Sequence, residues 1–450
     1  MSFEIDKQTC HDLSIFQSNK TEFSIYSLFS SCKTTYGNQK IQEMMRNPTN
    51  NAEALNARTA AIDFLRHKNI GLDITDDQID LILHYLNYGK GTLKRNLIDS
   101  FAVYIKNKFQ ETQEYYVIKV GLKNILSLLK YGELLSDFLG HPNTPLHLKH
   151  IGSEIKHTLE KLLVNKTATF YNKSLKFYEL SKLDSVIRSR ENIAQLHILL
   201  DCIYEIDALQ TIAIKCSEQN FVLPKYITDT SKLDVRISGL YHPVISSAIK
   251  NDVEINKENH LIFLSGSNMA GKSSLLKSVG IAIYLAHIGF PVPATAMHTT
   301  IFNGLVTTIN IADNVQNGLS HYLSEVLRVK YLLNLLIEKQ KIFVILDELF
   351  KGTNAKDASE ATDIVVNGFS KIKNSAFITS SHITELTEKF KNSDISLMHM
   401  EHLMVEGKPI FTYQLKKGVT KDGIGMFFIH SENIPILLSN AEKVSTNICN

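Results

Sequence analysis

The pattern of apolar and polar residues changes about halfway along the 450-residue chain. In the first half, apolar residues recur at the three- and four-residue spacing of a helix face, over residues 79–86, 120–129, 148–162 and 193–203. No glycine lies between Ser153 and Ser238, and no proline lies between Leu146 and Leu223. Because these residues are the usual breaks in helices, we predict mainly long helices from residue 1 to about residue 225.

Short β-rich runs alternate with helical segments after Pro224. They lie at residues 260–264, 342–346, 375–379 and 410–415. Such alternation is typical of an α/β sheet. We therefore predict an all-α domain over residues 1–228, followed by an α/β domain over residues 229–450.

Composition narrows the class of protein. Apolar residues make up 44% of the chain and charged residues 21%, which excludes wholesale disorder. A net charge of +2 gives no basic excess, so contact with DNA would require a local patch or an assembly. The five cysteines match neither a disulfide framework nor a zinc site. The acidic N-terminus does not match a signal peptide, and prolines interrupt the apolar stretch 279–294, so we expect a cytoplasmic protein without a membrane span.

A nucleotide-binding pattern, G-x-x-x-x-G-K-S, follows the first of the predicted strands. It comprises Gly266, Ser267, Asn268, Met269, Ala270, Gly271, Lys272 and Ser273, with Ser274 next. A strand before the pattern and a helix after it are the context of a P-loop, whose backbone N–H groups surround phosphate oxygens. We expect Lys272 to neutralise the β- and γ-phosphates of ATP and Ser273 to ligate Mg²⁺.

A second apolar strand ends in two adjacent carboxylates, Asp347 and Glu348. In ATP hydrolysis one such acid holds magnesium and its neighbour acts as the base for the attacking water. We assign the first role to Asp347 and the second to Glu348. Paired acids after a strand are moderate evidence alone, but together with the P-loop they predict an ATPase.

Three further short motifs are ordered around these acids. They are Gly318-Leu319-Ser320, Gly352-Thr353-Asn354 and Ser380-Ser381-His382. Taken alone, a histidine at a strand end such as His382 is more often a surface residue than a catalytic one, and Gly318-Leu319-Ser320 could be a helix start capped by Ser320. Their order along the chain is what favours a functional interpretation.

With these motifs, the chain resembles the ATPase domain of the MutS family of DNA mismatch-repair proteins. Its P-loop reads Gly-Ser-Asn-Met-Ala-Gly-Lys-Ser-Ser where that family favours Gly-Pro-Asn-Met-Gly-Gly-Lys-Ser-Thr. The likeness extends to Tyr241-His242-Pro243-Val244, to Tyr413-Gln414-Leu415 and into the N-terminal region. The resemblance implies an all-α lever/core domain followed by an ABC-type P-loop ATPase domain.

The resemblance also implies a mechanism. Two ATPase domains would form a homodimer with ATP near the interface, and Ser320 would reach the partner's γ-phosphate. His382 would sense that phosphate, and Asn268 would touch it or the attacking water. We expect a short form without the family's mismatch-reading and connector domains, in which ATP switches the binding of mismatched or branched DNA. An ATP-switched protein-assembly module without direct DNA binding stays open as the alternative.

Overall fold

The computed structural model describes residues 3–16, 23–88, 113–162, 177–229, 231–267, 269–309, 321–391, 393–406, 408–419, 425–439 and 441. The chain forms two compact units. The sheet unit comprises Met1–Ile25, Pro48–Asn56 and Gln219–Asn450, and the helical unit comprises Tyr26–Asn47 and Ala57–Glu218. This division differs from the predicted single boundary after residue 228, because two early segments belong with the sheet.

In the helical unit, the described residues form helices and loops without a strand. The helices are α2 (Ile25–Phe29), α3 (Thr35–Arg46), α4 (Ala52–His67), α5 (Asp76–Leu86), α6 (Gln113–Leu139), α7 (Leu146–Lys161), α8 (Phe177–Ile187) and α9 (Arg190–Glu218). Three of the four apolar stripes fall within one of them and the stripe 148–162 ends one residue beyond α7, and most of the stripe residues are buried. The helices therefore form because each has an apolar face to bury against its neighbours.

A buried carboxylate joins the start of α3 to α9. Asp207 accepts hydrogen bonds from the Thr34 backbone N–H at 2.9 Å, the Thr34 hydroxyl at 2.7 Å and the Lys33 N–H at 3.2 Å. A Cβ atom on Gly37 would lie 2.5 Å from the same carboxylate, so the close approach requires glycine there. Burial raises the pKa of Asp207, and the hydrogen bonds from Thr34 and Lys33 offset only part of that rise.

The sheet unit is built on a seven-stranded sheet in the order β1-β7-β8-β9-β5-β10-β11. These strands are β1 (Glu4–Ile5), β5 (Leu261–Ser265), β7 (Gly304–Thr308), β8 (Ile342–Asp347), β9 (Ala376–Ser381), β10 (Ser396–Val405) and β11 (Lys408–Lys417). Neighbouring strands are parallel except for the antiparallel pair β10 and β11. All four runs predicted as strands lie in this sheet, and β5, β8 and β9 are buried along their whole length.

A smaller sheet and six described helices complete this unit. The small sheet has the order β2-β6-β3-β4, from β2 (Lys225–Ile227), β3 (Asp234–Leu240), β4 (Asn251–Asn256) and β6 (Ala296–Thr300). The helices are α1 (Lys7–Asp12), α10 (Lys272–His287), α11 (His321–Lys339), α12 (Ala355–Phe369), α13 (Thr384–Phe390) and α14 (Gly425–Ser431). Among the described residues, no helix has both the length and the apolar character needed to cross a bilayer.

The first residues of the chain correct the helical prediction for the N-terminus. Glu4 and Ile5 form an edge strand that pairs in parallel with Gly304 and Leu305 of β7. The side chain of Asp6 then caps α1 by accepting a hydrogen bond from the Thr9 N–H at 2.9 Å. The N-terminal segment is thus part of the sheet unit.

We predict that Asp207→Ala destabilises the helical unit by about 2–4 kcal/mol, since three donors, two of them on the buried Thr34, lose their acceptor. Asp201→Ala is the matched control, because Asp201 lies on the same helix but its side chain is 59% exposed in its ion pair with Lys40. Hydrogen exchange of the backbone amides in α3 and α9 measures the loss. Equal protection in the two variants would contradict the role of Asp207.

Candidate functional site

The P-loop connects the buried strand β5 to the start of α10. Gly266 has φ = 149° and Gly271, the N-cap residue of α10, has φ = 94°, a left-handed conformation that glycine adopts without steric cost. Met269 also has a positive φ, 71°, whereas Ala270 does not and is fully buried. The alanine that departs from the family pattern therefore fits the loop without backbone strain.

The ammonium group of Lys272 is buried beneath this loop. Its Nζ donates to the carbonyl oxygens of Gly266 at 2.8 Å and Ser267 at 3.2 Å, and it lies 3.3 Å from Glu348 Oε1. The lysine side chain is only 4% exposed. Since a buried charge is stable only when paired, these three acceptors hold the cation at the centre of the loop.

Asp347 lies at the end of β8 and contacts two serine hydroxyls. Ser273 donates to Asp347 Oδ2 at 2.5 Å, and Ser380 donates to Asp347 Oδ1. The contact arises because β9 lies between β8 and β5, so that the carboxyl ends of the three strands share one edge. The two residues predicted to hold Mg²⁺ therefore meet.

Glu348 follows directly and adopts a left-handed conformation, with φ = 50°. Its backbone N–H donates to the carbonyl oxygen of Ser380 at 3.2 Å and to the Ser380 hydroxyl at 3.1 Å. The carboxylate lies 3.0 Å from Lys351 Nζ and 3.7 Å from His382 Nδ1. Burial raises the pKa of Glu348, but the hydrogen bond from Lys351 and the charges of Lys272, Lys351 and His382 outweigh burial and lower it overall.

The remaining predicted residues fall into three groups. Ser267 lies in the loop, and its hydroxyl is buried without a hydrogen-bond partner among the described residues. Ser274 lines a neighbouring cavity, while Met269 is 72% exposed. Asn268 and Ser320 lie outside the described residues.

That cavity is a part of the site for which the sequence predicted no role. It has a volume of about 360 Å³, and its lining includes Tyr241, His242 and Tyr413. A Cβ atom on Gly271 would lie 3.0 Å from Cδ1 of Tyr413, so the tyrosine ring packs directly on the P-loop. Asn251 fixes this tyrosine's strand, since it donates to the Tyr413 carbonyl oxygen at 3.0 Å. Burial, together with the charge of Lys277, lowers the pKa of His242.

Glu325 is a second residue whose role the sequence did not reveal. It lies on α11, is buried, and accepts hydrogen bonds from the backbone N–H groups of Lys351 at 3.2 Å and Gly352 at 3.3 Å. The Tyr322 and Phe350 rings, 5.7 Å apart, join the same two segments. An acid in the run that follows Ser320 was the available signal, but its contact with the loop after Glu348 depends on the fold.

The arrangement has the chemistry of a phosphate and magnesium site. A helix N-terminus, a buried ammonium group and the unpaired hydroxyl of Ser267 meet at the loop, and together they suit an anion. The hydroxyl of Ser273 and the carboxylate of Asp347 are the oxygen ligands that Mg²⁺ prefers. The described residues therefore fit both groups.

Comparison with known proteins shows what this part of the chain is similar to. Residues 262–449 match the family model of MutS domain V, a range that includes the P-loop, Asp347, Glu348 and His382. The relatives are DNA mismatch repair proteins named MutS. The protein from Bacillus licheniformis is 28% identical over 59% of this chain and 31% of its own length. The one from Halalkalibacterium halodurans is 24% identical over 77% of this chain and 40% of its own length.

A third relative, from Fusobacterium nucleatum, is 26% identical over 66% of this chain and 33% of its own length. The chain thus spans about a third of the length of several of these relatives. The likeness reaches beyond the domain V match, since one relative aligns over 365 residues. The chain is therefore similar to the MutS mismatch-repair proteins, and residues 262–449 match the model of MutS domain V.

Proposed function

We propose that this protein binds ATP with Mg²⁺ and hydrolyses it. The observation that supports the proposal is the convergence of Lys272, the Ser273–Asp347 pair and Glu348 at the carboxyl edge of three adjacent strands. Each member of that set matches one need of phosphoryl transfer to water: phosphate binding, metal binding and proton removal.

Lys272 and the loop bind the triphosphate. The phosphates replace the Gly266 and Ser267 carbonyl oxygens as acceptors for the Lys272 ammonium, and the Ser267 hydroxyl gains a partner. Ser273 and Asp347 would hold a magnesium ion, which would supply positive charge to the triphosphate. Ser380 keeps Asp347 oriented by donating to its other oxygen.

Glu348 accepts the proton of the attacking water. Its lowered pKa keeps the carboxylate ionised at neutral pH, which a general base requires. The two hydrogen bonds from its backbone N–H to Ser380 fix the position of the Glu348 backbone, from which the side chain extends. His382, 3.7 Å from the same carboxylate, is placed to respond when the charge at the γ-phosphate changes.

The cavity beside the loop takes the adenine base. Tyr413 and Tyr241 offer ring faces or edges to a planar base, and His242 is neutral because its pKa is lowered. The cavity opens along the same residues, Gly271 and Ser274, that lead to the phosphate loop. A nucleotide would therefore lie with its base and its phosphates on either side of the start of α10.

We further propose that the protein works as a homodimer on DNA, with the helical unit as the lever/core domain. The support is the relationship to proteins named for DNA mismatch repair and the resemblance that assigns Ser320 to the partner's γ-phosphate. In this arrangement the protein recognises the structure of mismatched or branched DNA rather than its sequence, and ATP switches that binding. Asn268 and Ser320 complete the site in this proposal.

A protein-assembly module switched by ATP is the second candidate. The balanced charge of the chain favours it, because Lys and Arg exceed Asp and Glu by only 48 to 46. Proteins that bind DNA through phosphates usually show a basic stripe or patch. In this case the helical unit would bind another protein.

Lys272→Ala should abolish productive ATP binding, because the phosphates lose the only lysine of the P-loop pattern. We expect the affinity for a fluorescent ATP analogue to fall by at least about tenfold, the loss of one charge-assisted contact. Lys356→Ala, which removes an exposed lysine of α12, is the matched control. Unchanged affinity in Lys272→Ala would refute the location of the site.

Glu348→Gln should still bind ATP but hydrolyse it about 10²–10⁴-fold more slowly, since the water loses its base. The substitution keeps the size of the side chain and one acceptor oxygen. Release of inorganic phosphate in single-turnover experiments measures the chemical step. Glu360→Gln, exposed on α12, is the control, and full turnover by Glu348→Gln would exclude the role.

Binding to homoduplex, mismatched and branched DNA, with and without ATP, separates the two candidates. We expect tighter binding to mismatched or branched DNA than to homoduplex, a change in affinity with ATP, and a steep fall in affinity with salt because phosphate contacts release counterions. Equal and negligible binding to all three DNAs would favour the assembly module.

A further inference from the structure

The N-terminal segment forms a buried polar network with the far part of its own unit. Thr9 and Asp12, on α1, are fully buried. The Thr9 hydroxyl accepts a hydrogen bond from the Thr307 backbone N–H at 2.9 Å. Asp12 accepts from the Thr307 hydroxyl at 2.8 Å and from the Ile309 backbone N–H at 2.9 Å. The end of β7 is thus bonded to α1 through side chains as well as through the pairing of β1.

Arg328 brings α11 into this network. Its guanidinium group forms a two-point ion pair with Asp6, in which Nη1 bonds one carboxylate oxygen and Nη2 lies 3.2 Å from the other. Nη2 also donates to the Thr307 carbonyl oxygen at 2.7 Å. Burial raises the pKa of Asp6, but the hydrogen bond and charge of Arg328 and the bonds with Thr9 lower it overall. The forked geometry fixes the orientation of α11 as well as its distance from α1.

Helix α11 also contacts the loop that follows Glu348, the proposed base. Glu325 lies three residues before Arg328, on the adjoining turn of α11, and accepts hydrogen bonds from the Lys351 and Gly352 N–H groups. Lys351 in turn pairs with the Glu348 carboxylate at 3.0 Å. Ion pairs, hydrogen bonds and short stretches of backbone therefore connect Asp6 to Glu348 without a break. We call this series of contacts the path.

We propose that Arg328 and Glu325 are positioning residues for Glu348. Through them, the N-terminal segment fixes the position of the loop that follows Glu348. This inference rests on the proposed hydrolysis of ATP. Asp6 and Thr9 fix α11 at Arg328, and α11 fixes the loop at Glu325. The residues that bind the nucleotide, Lys272 and the cavity beside it, are not members of the path.

The test compares Arg328→Met with Lys330→Met, which removes a cation from an exposed position of the same helix. We expect the affinity of Arg328→Met for an ATP analogue to stay within about twofold and kcat to fall by about tenfold or more, because small misplacements of a catalytic group are costly. Lys330→Met should keep both values. Equal kcat in the two variants would overturn the inference.

A second comparison separates positioning from general damage to the fold. In a Glu348→Gln background the base is already lost, so Arg328→Met should slow hydrolysis no further. A multiplicative loss in the double variant would mean that Arg328 does not act through Glu348. Asp6→Asn, which keeps an acceptor for the α1 cap but removes the charge, should lower kcat in the same direction by less. Unchanged kcat in Asp6→Asn would exclude the N-terminal segment from the path.

The outcome also distinguishes this inference from the proposed function. Slow hydrolysis by Glu348→Gln together with normal hydrolysis by Arg328→Met would remove only the inference. Normal hydrolysis by Glu348→Gln would remove the role of the base and the inference with it. Absence of hydrolysis by the wild-type protein would overturn both.

Discussion

A buried ammonium group must have acceptors around it, and this constraint on Lys272 organises the carboxyl edge of the sheet. Two carbonyl oxygens of the P-loop and the carboxylate of Glu348 meet that need. Leaving any of them unpaired in a low-dielectric interior would cost several kcal/mol. The phosphate loop and the proposed base are thus held to one another. Glu348 also has Lys351 and His382 as charged neighbours.

Strand order extends the same constraint to the proposed metal site. Asp347 is in register with Ser380 on β9, and Ser265 is in register with Ser381 on the other side of that strand. Ser380 therefore lies between the two halves of the site and bonds to Asp347 with its hydroxyl and to the Glu348 N–H with its carbonyl oxygen. A non-glycine residue with positive φ costs about 1 kcal/mol or more, so the left-handed turn at Glu348 is kept by these bonds.

The sequence predicted those features that depend on neighbours along the chain. The P-loop, the paired acids and the apolar stripes are local patterns, and each is found within the predicted type of element. The sequence did not predict contacts between residues that are far apart along the chain. The β1 strand has only two residues, too few for a pattern, and the bond from Thr34 to Asp207 joins residues 173 apart. The role of Glu325 likewise depends on where α11 packs, and the positive φ of Met269 falls on a residue type that rarely adopts it.

The sheet unit is discontinuous in sequence, and this has a consequence for how the chain folds. Its first strand must wait for β7, since Thr9 and Thr307 are separated by 298 residues. The helical unit lies between them in the chain and can fold once its last helix, α9, has been made. Thr9 and Asp12 are buried in the folded protein. Until β7 has been made, the N-terminal segment that contains them stays exposed to water and chaperones. Pairing of β1 with β7 is therefore a late step in folding. Substitutions in the N-terminal segment would first slow the maturation of the newly made protein.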